Sequence, residues 1–193
     1  SCMAKTASGN LRISVEPDKI WLEMPQGEVV KTLSKEESAQ VYAAYHLDST
    51  EQTKEMQPSI VRTGLADILL PVGSKDALDH ALQNRDEVIR LSREHGLVGV
   101  HLFFCPENGE PTAYCRNFAP LFGIDEESAT GTSNAALTYF LGKQNRIQSN
   151  QINSFVQGEV MGKRSVIQSR IDSDGSIWIG GSAVISICGE LKL

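Results

Sequence analysis

The stretch that most constrains this chain is Gly123–Leu141, which reads GIDEESATGTSNAALTYFL. Acidic residues lead through Ala129-Thr130-Gly131-Thr132-Ser133-Asn134 into an almost wholly apolar segment. From Ala135 to Leu141 the only polar side chains are Thr138 and the hydroxyl of Tyr139. A helix apolar on nearly every side is expected to be buried. Its first turn is small and hydroxylated: Thr132, Ser133 and Asn134 are each good cap residues, and Gly131 permits close approach of a ligand to the backbone. The unpaired N–H groups and the dipole of a helix start favour an anion such as a substrate carboxylate. The plainer reading is that any strand-to-helix connection needs a glycine and a cap, with Asp125, Glu126 or Glu127 satisfying the dipole.

Strand signals surround this helix. Leu11–Val15 and Lys19–Met24 alternate apolar and polar about Glu16-Pro17-Asp18, which predicts an antiparallel hairpin. Pro25-Gln26-Gly27 ends it, and nothing N-terminal to it is read as a further strand. Ser34 with Glu37 forms a capping box ahead of a helix whose stripe is Ser38, Val41, Tyr42 and Tyr45. Ser59–Arg62 and Asp67–Val72 read as strands. Ser74–Leu82 and Asn84–His95 read as helices, the second stopped by Gly96, with Asp86 and Arg90 as an i,i+4 pair. Leu97–Phe104 is a candidate central strand that pairs with Thr112–Cys115 across an Asn-Gly turn, and His101 within it reads as a core histidine. Arg116 then leads toward the acidic loop, either to ion-pair with Asp125–Glu127 or to clamp a substrate acid. Four strands follow the helix: Ser154–Gln157, Ser165–Ile171, Ser176–Ile179 and Ala183–Ile187. Together they predict a sheet wrapped about it. Gly180-Gly181 marks either a bulge or a close backbone approach to a ligand.

Several functions are excluded or disfavoured by what the chain lacks. A formal net charge of -6 without a dense basic patch argues against a nucleic-acid partner. No apolar run is long enough to span a bilayer, and the start SCMAKTASGN has no signal-peptide core, so no membrane association and a cytoplasmic location are expected. Cys2, Cys105, Cys115 and Cys188 form no CxxC pair and read as free thiols. The four histidines show no ligand spacing, so neither metal nor cofactor is expected. There is no P-loop and no GxGxxG after a strand.

Four segments, in order and with sensible gaps, resemble the PhzF-like family of isomerases related to the phenazine biosynthesis enzyme. They are Arg116-Asn117-Phe118-Ala119-Pro120, Glu127-Ser128-Ala129-Thr130-Gly131-Thr132, Gln157-Gly158-Glu159-Val160-Met161-Gly162-Lys163-Arg164-Ser165 and Gly180-Gly181-Ser182-Ala183-Val184. The corresponding family patterns are roughly R-x-F-x-P, E-D-P-A-T-G-S-A, Q-G-x-x-M-G-R-P-S and G-G-x-A-V. Ser8-Gly9-Asn10-Leu11 is similar to a strand near the end of the family's first lobe.

The resemblance implies an α+β, diaminopimelate-epimerase-like fold: two lobes, each a mostly antiparallel sheet wrapped around a central helix, with a ligand between the helix N-termini. Residues 1–33 would be the remaining strands of the first lobe. Residues 34–193 would be the second, with its central helix over 132–142 and its last strand free to return to the first. The implied activity is proton transfer on a small carboxylate-bearing metabolite, with Glu127, Thr130, Gly131, Thr132, Ser133, Asn134, Arg116, Gly180 and Gly181 as the implied substrate-binding residues and none of them the general base. In that role Glu127 binds an amine or hydroxyl, or relays a proton. The family's general-base glutamate would precede Ser8, which leaves catalysis by this chain alone in question. The alternative is a carboxylate-binding or interaction module left from a truncated or split enzyme. A homodimer, or a complex with a chain carrying the missing lobe, is the implied partner. In the thiol-dependent epimerases of this fold a catalytic Cys precedes the glycine. Thr130 stands there instead, and its hydroxyl is a far poorer base than a thiolate, which excludes a two-thiol mechanism.

Overall fold

Continuous apolar runs such as Ile68-Leu69-Leu70 belong to strands covered on both faces, and the middle of this sheet is covered on both. The computed structural model of the chain describes residues 2–6 and 9–190. Ser8, part of the strand resemblance, lies outside them. The strands are β1 (Cys2–Thr6), β2 (Gly9–Val15), β3 (Ile20–Met24), β4 (Glu28–Thr32), β5 (Ser59–Thr63), β6 (Leu65–Pro71), β7 (Gly99–Phe104), β8 (Ala113–Ala119), β9 (Ile124–Glu127), β10 (Asn153–Gln157), β11 (Ser165–Ile171) and β12 (Ile177–Gly181). They join in one sheet of order β1-β2-β3-β12-β11-β10-β8-β7-β6-β5-β4, with β9 attached to β8. Every pairing is antiparallel except β6–β7 and β8–β10.

The helices divide between the two faces. Ile68, Leu70, Val100, Leu102 and Phe118 point to one side, where α1 (Lys35–Ala43), α2 (Lys75–His80) and α3 (Arg85–His95) cover them with Val41, Tyr42, Leu78, Val88 and Leu91. Leu69, Phe103, Cys115 and Phe155 point to the other and meet Ala136, Leu137, Phe140 and Leu141 of α4 (Gly131–Lys143). Period-two alternation within each strand builds both layers from one sheet. Each fully buried Val, Leu, Ile or Phe side chain among these stabilises the fold by about 1.5–3 kcal/mol. α4 is buried from Ser133 to Thr138, as its composition requires, and starts and ends within one residue of the expected bounds. No helix among the described residues is long and apolar enough to cross a membrane.

Capping chemistry sets the helix starts. Ser34 and Glu37 close their box reciprocally, Asn84 accepts from the Glu87 N–H, and Gly96 ends α3 in the left-handed region. Arg90 pairs with Glu87 and Glu94 rather than with Asp86, because both flank it on one exposed face.

Several local expectations are corrected. β1 supplies a strand N-terminal to the hairpin; as an edge strand with both faces open it needs no apolar alternation. β4 follows Pro25-Gln26-Gly27 and pairs with β5. The segment expected as an acidic loop contains β9, and β8 runs on through Arg116 to Ala119. Ala183–Ile187 forms no strand among the described residues, and Val184, Ile185 and Ile187 are 89%, 86% and 87% exposed. Its alternation has no neighbouring ladder to complete.

Candidate active site at the start of the buried helix

Elements from across the sheet meet at the N-terminus of α4. Thr130 occupies the cap position but makes no capping bond; its hydroxyl turns away and donates to Glu127 Oε2 at 2.8 Å. Thr132, Ser133 and Asn134, expected as caps, lie inside the first turn, where the side chains of Ser133 and Asn134 are otherwise occupied. The Thr132 carbonyl accepts from Thr63 Oγ1 at 3.2 Å, and the Thr132 hydroxyl makes no hydrogen bond among the described residues. The Ser133 hydroxyl donates to Asp67 Oδ2 at 2.6 Å, and Asp67 Oδ1 accepts from the Gly99 N–H at 3.1 Å. Asn134 Nδ2 donates to the Thr130 carbonyl at 2.8 Å and to Gln157 Oε1 at 2.9 Å.

Glu127 sits half-buried at the end of β9, opposite Asn117 of β8. Gln157, at the end of β10, donates to the Glu127 carbonyl at 2.6 Å and to Thr130 Oγ1 at 3.0 Å, tying the 127–130 turn to the sheet. This contact explains the glycine that follows. A Cβ at Gly158 would come within 2.4 Å of the Lys163 carbonyl and 2.9 Å of Ser128, and φ there is +80°. Only glycine lets β10 end against the turn that carries Glu127.

Two buried titratable groups back the site. Burial pushes the Asp67 carboxyl above its ordinary range, with the Ser133 and Gly99 bonds opposing and the Glu127 charge adding to the rise. Asp67 is thus the acid closest to the first turn of α4 in hydrogen-bonding terms, a place expected for Asp125, Glu126 or Glu127. Burial holds the His101 imidazole down to about 4, against the favourable influence of Asn117 and Asn134.

The expected residues do not all converge. Glu127, Thr130, Gly131, Thr132, Ser133 and Asn134 come together. Gly181 lies on the same face as Ile179, whose Cγ2 is 3.5 Å from the space a Gly131 Cβ would fill. Gly180 points to the opposite face, where the Trp21 indole fills the space a side chain would take; a Cβ would meet that ring at 2.4 Å. The pair sits in regular register with β3 and β11 and forms no bulge. Arg116 also projects to the other face. It grips Glu126 through Nε and Nη2 at 2.8 and 2.9 Å, and through Nη1 it satisfies the carbonyls of Leu78, Asp79 and Ala81 at the end of α2. Pairing with the acidic segment therefore occurs, at Glu126.

Sequence reasoning assigned Thr63, Asp67, Asn117 and Gln157 no role here. The signal available was a polar side chain inside an otherwise apolar buried strand, as in ADILL and VHLFF.

Comparison with known proteins matches residues 2–189 to the family model described as phenazine biosynthesis-like protein. An uncharacterized isomerase of Clostridium acetobutylicum is 26% identical over 201 residues, covering 98% of this chain and 67% of that protein. Among solved structures, a predicted epimerase from Pseudomonas aeruginosa superposes with a TM-score of 0.74 at 21% identity, over 90% of this chain and 59% of its own. A phenazine biosynthesis protein of the PhzF family from Bacillus anthracis also reaches 0.74, at 15% identity, over 93% and 64%. The chain thus spans about three-fifths to two-thirds of the length of these proteins.

Proposed function

The chain belongs to the phenazine biosynthesis-like (PhzC-PhzF) family, and on that premise we propose that it is the site-bearing part of an isomerase that moves a proton on a small carboxylate-bearing metabolite. The observation that carries this reading is the uncapped start of α4. Thr130 directs its hydroxyl to Glu127, so the N–H groups of Gly131, Thr132 and Ser133 have no side-chain acceptor among the described residues. Three unpaired N–H groups at the positive end of a dipole suit a substrate carboxylate, and suit still better the negative charge that develops beside it when a proton leaves. The Thr132 hydroxyl adds a donor. Glu127 Oε1, beside them, accepts from a substrate amine or hydroxyl or relays a proton. Gly181 lines the rim of the same face. Arg116 contributes from behind, by fixing Glu126 and with it the strand that carries Glu127. The general base belongs, in this reading, to a carboxylate of the other lobe, supplied by another chain or by a cleaved or separately encoded half.

The test is solvent proton exchange. Incubation in deuterated buffer with a panel of small α-hydroxy, α-amino and unsaturated carboxylates should give deuterium incorporation at the carbon next to the carboxylate, read by proton NMR. Exchange with none of them, alongside measurable binding, would favour the second reading, a binding or interaction module. One observation speaks for that module: β2 and β3 leave apolar side chains open, with Val15 61% and Ile20 38% exposed. Native mass spectrometry separates a self-dimer or a two-chain complex from a lone chain. The anion subsite has its own check. Thr132→Val should weaken carboxylate binding by about 1.5–3 kcal/mol, the range for a hydrogen bond to a charged group. Unchanged affinity in titration calorimetry would remove Thr132 from the site.

A further inference from the structure

A line of buried polar side chains runs from the sheet to Glu127, and the direction of every hydrogen bond in it is fixed by its neighbour. Gln157 Nε2 has two hydrogens and gives them to the Glu127 carbonyl and to Thr130 Oγ1. Because Thr130 Oγ1 accepts there, its single hydrogen goes to Glu127 Oε2. Gln157 is held in this orientation because its Oε1 accepts from Asn134 Nδ2, which also serves the Thr130 carbonyl. That leaves Asn134 Oδ1 facing the protein interior. It is buried and has no hydrogen-bond partner among the described residues. His101 Nε2, on β7, is buried and equally without one among the described residues. The two atoms make no hydrogen bond to each other in this structure, yet β7 and the first turn of α4 are joined beside them, Gly99 N–H and Ser133 Oγ both bonding Asp67. The other ring nitrogen, Nδ1, lies 3.0 Å from Asn117 Oδ1.

One assignment pairs both orphan atoms. With the proton of the neutral imidazole on Nε2, a small closing of the gap lets that nitrogen donate to Asn134 Oδ1, and Nδ1 accepts from Asn117 once its carboxamide is turned from the orientation seen here, oxygen toward the ring, so that nitrogen faces it. Carboxamide oxygen and nitrogen have nearly the same shape, so the turn changes no packing. The opposite tautomer sets two lone pairs against each other and leaves two buried polar atoms unpaired.

We propose that His101 is a positioning residue: as the Nε2–H tautomer it fixes Asn134, which fixes Gln157, which fixes the Thr130 hydroxyl and so the Glu127 carboxylate. Glu127 then presents Oε1 alone to the ligand space, in one orientation. That last clause rests on the function proposed above; the bond directions do not.

The experiment begins with the unaltered protein. Two-bond proton–nitrogen correlation spectra of 15N-labelled protein at neutral pH distinguish the neutral tautomers, and His101→Gln identifies the His101 signals by their loss. The Nε2–H form is expected, and the Nδ1–H form overturns the proposal. Substitution then tests the relay. Gln places an amide nitrogen near the former Nε2, whereas His101→Leu supplies no donor. The Asn134 and Gln157 side-chain NH2 resonances should keep their positions in His101→Gln and shift or double in His101→Leu. Unmoved resonances in the Leu variant would show that the histidine directs nothing. If the Leu variant does not fold, the tautomer measurement decides alone. In the exchange assay kcat should fall on the order of ten- to a hundredfold in His101→Leu with little change in KM, and recover in His101→Gln. A moved NH2 pattern with unchanged kcat would reject the role of Glu127 and leave the relay standing.

Discussion

Arg116 binds Glu126 with two nitrogens and the closing carbonyls of α2 with the third, all within a nearly closed pocket above the Phe118 ring. Removing one partner of a buried pair leaves the other charged and unmatched, so Arg116→Met should destabilise the fold by about 3–5 kcal/mol in urea unfolding. Arg116→Lys keeps the charge and loses the fork, and should fall between. A cost under about 1 kcal/mol, that of an exposed pair, would show that the guanidinium holds nothing together. This residue also shows where reading the sequence stops. The choice between an ion pair and a substrate clamp needed the face of the strand, and Arg116 was placed ahead of the acidic segment rather than within β8. Its parity, and hence its side of the sheet, followed only once the strand was seen to run to Ala119. His101 and Asp67 were legible as polar residues in apolar strands, but their partners come from β8, α4 and the β6–β7 seam, distant in sequence.

Among the elements, those with local chemistry were readable. The capping box at Ser34, the Asn84 cap, the Gly96 stop and the apolar run of α4 each depend on neighbours within four residues, and each is found. Edge strands were not readable. β1 and β4 are open on both faces, so their sequences carry no pattern, and β9 is a short acidic strand held by β8. Pairing of β12 with β3 turns on a feature of neither strand alone: Trp21 lies over Gly180 and is capped by the Arg170 guanidinium, 4.6 Å from its ring. A methyl group at Gly180 would intrude on that ring from within a filled stack. Gly180→Ala should therefore cost about 1–3 kcal/mol, as overpacking does, and should shift the Trp fluorescence maximum. Gly181→Ala, with open space where its Cβ would stand, serves as the neutral control.

For the molecule as a whole, acid should be destabilising through His101. Burial first, against the favourable influence of Asn117 and Asn134, lowers the ring from 6.5 to about 4 in the folded state. Below pH 6.5 the unfolded chain takes up a proton that the native chain refuses. The stability contributed by this group is fully present above pH 6.5 and is lost as pH falls toward 4. Asp67 runs the other way: its contribution is complete below 3.8 and is lost as pH rises through its raised folded value. Comparing wild type with His101→Gln isolates the histidine. Their stability difference should change by ~3 kcal/mol between pH 7 and pH 4 in chemical denaturation. A parallel pair of curves would place the acid limb elsewhere.

The two parallel pairings have a consequence in time. Antiparallel neighbours such as β5–β6, β7–β8 and β10–β11 close by short returns of the chain. β7 reaches β6 only after α2 and α3 have crossed one face, and β10 reaches β8 only after α4 has crossed the other. Pairings of that kind join parts distant along the chain and form slowly. Thr130 and Gln157 stand on either side of the second crossing, and Asn134 lies within it. A chain caught before that step has its hairpins, β8–β9 among them, already made, while the turn after Glu127 still waits for the Gln157 amide that ties it to the sheet.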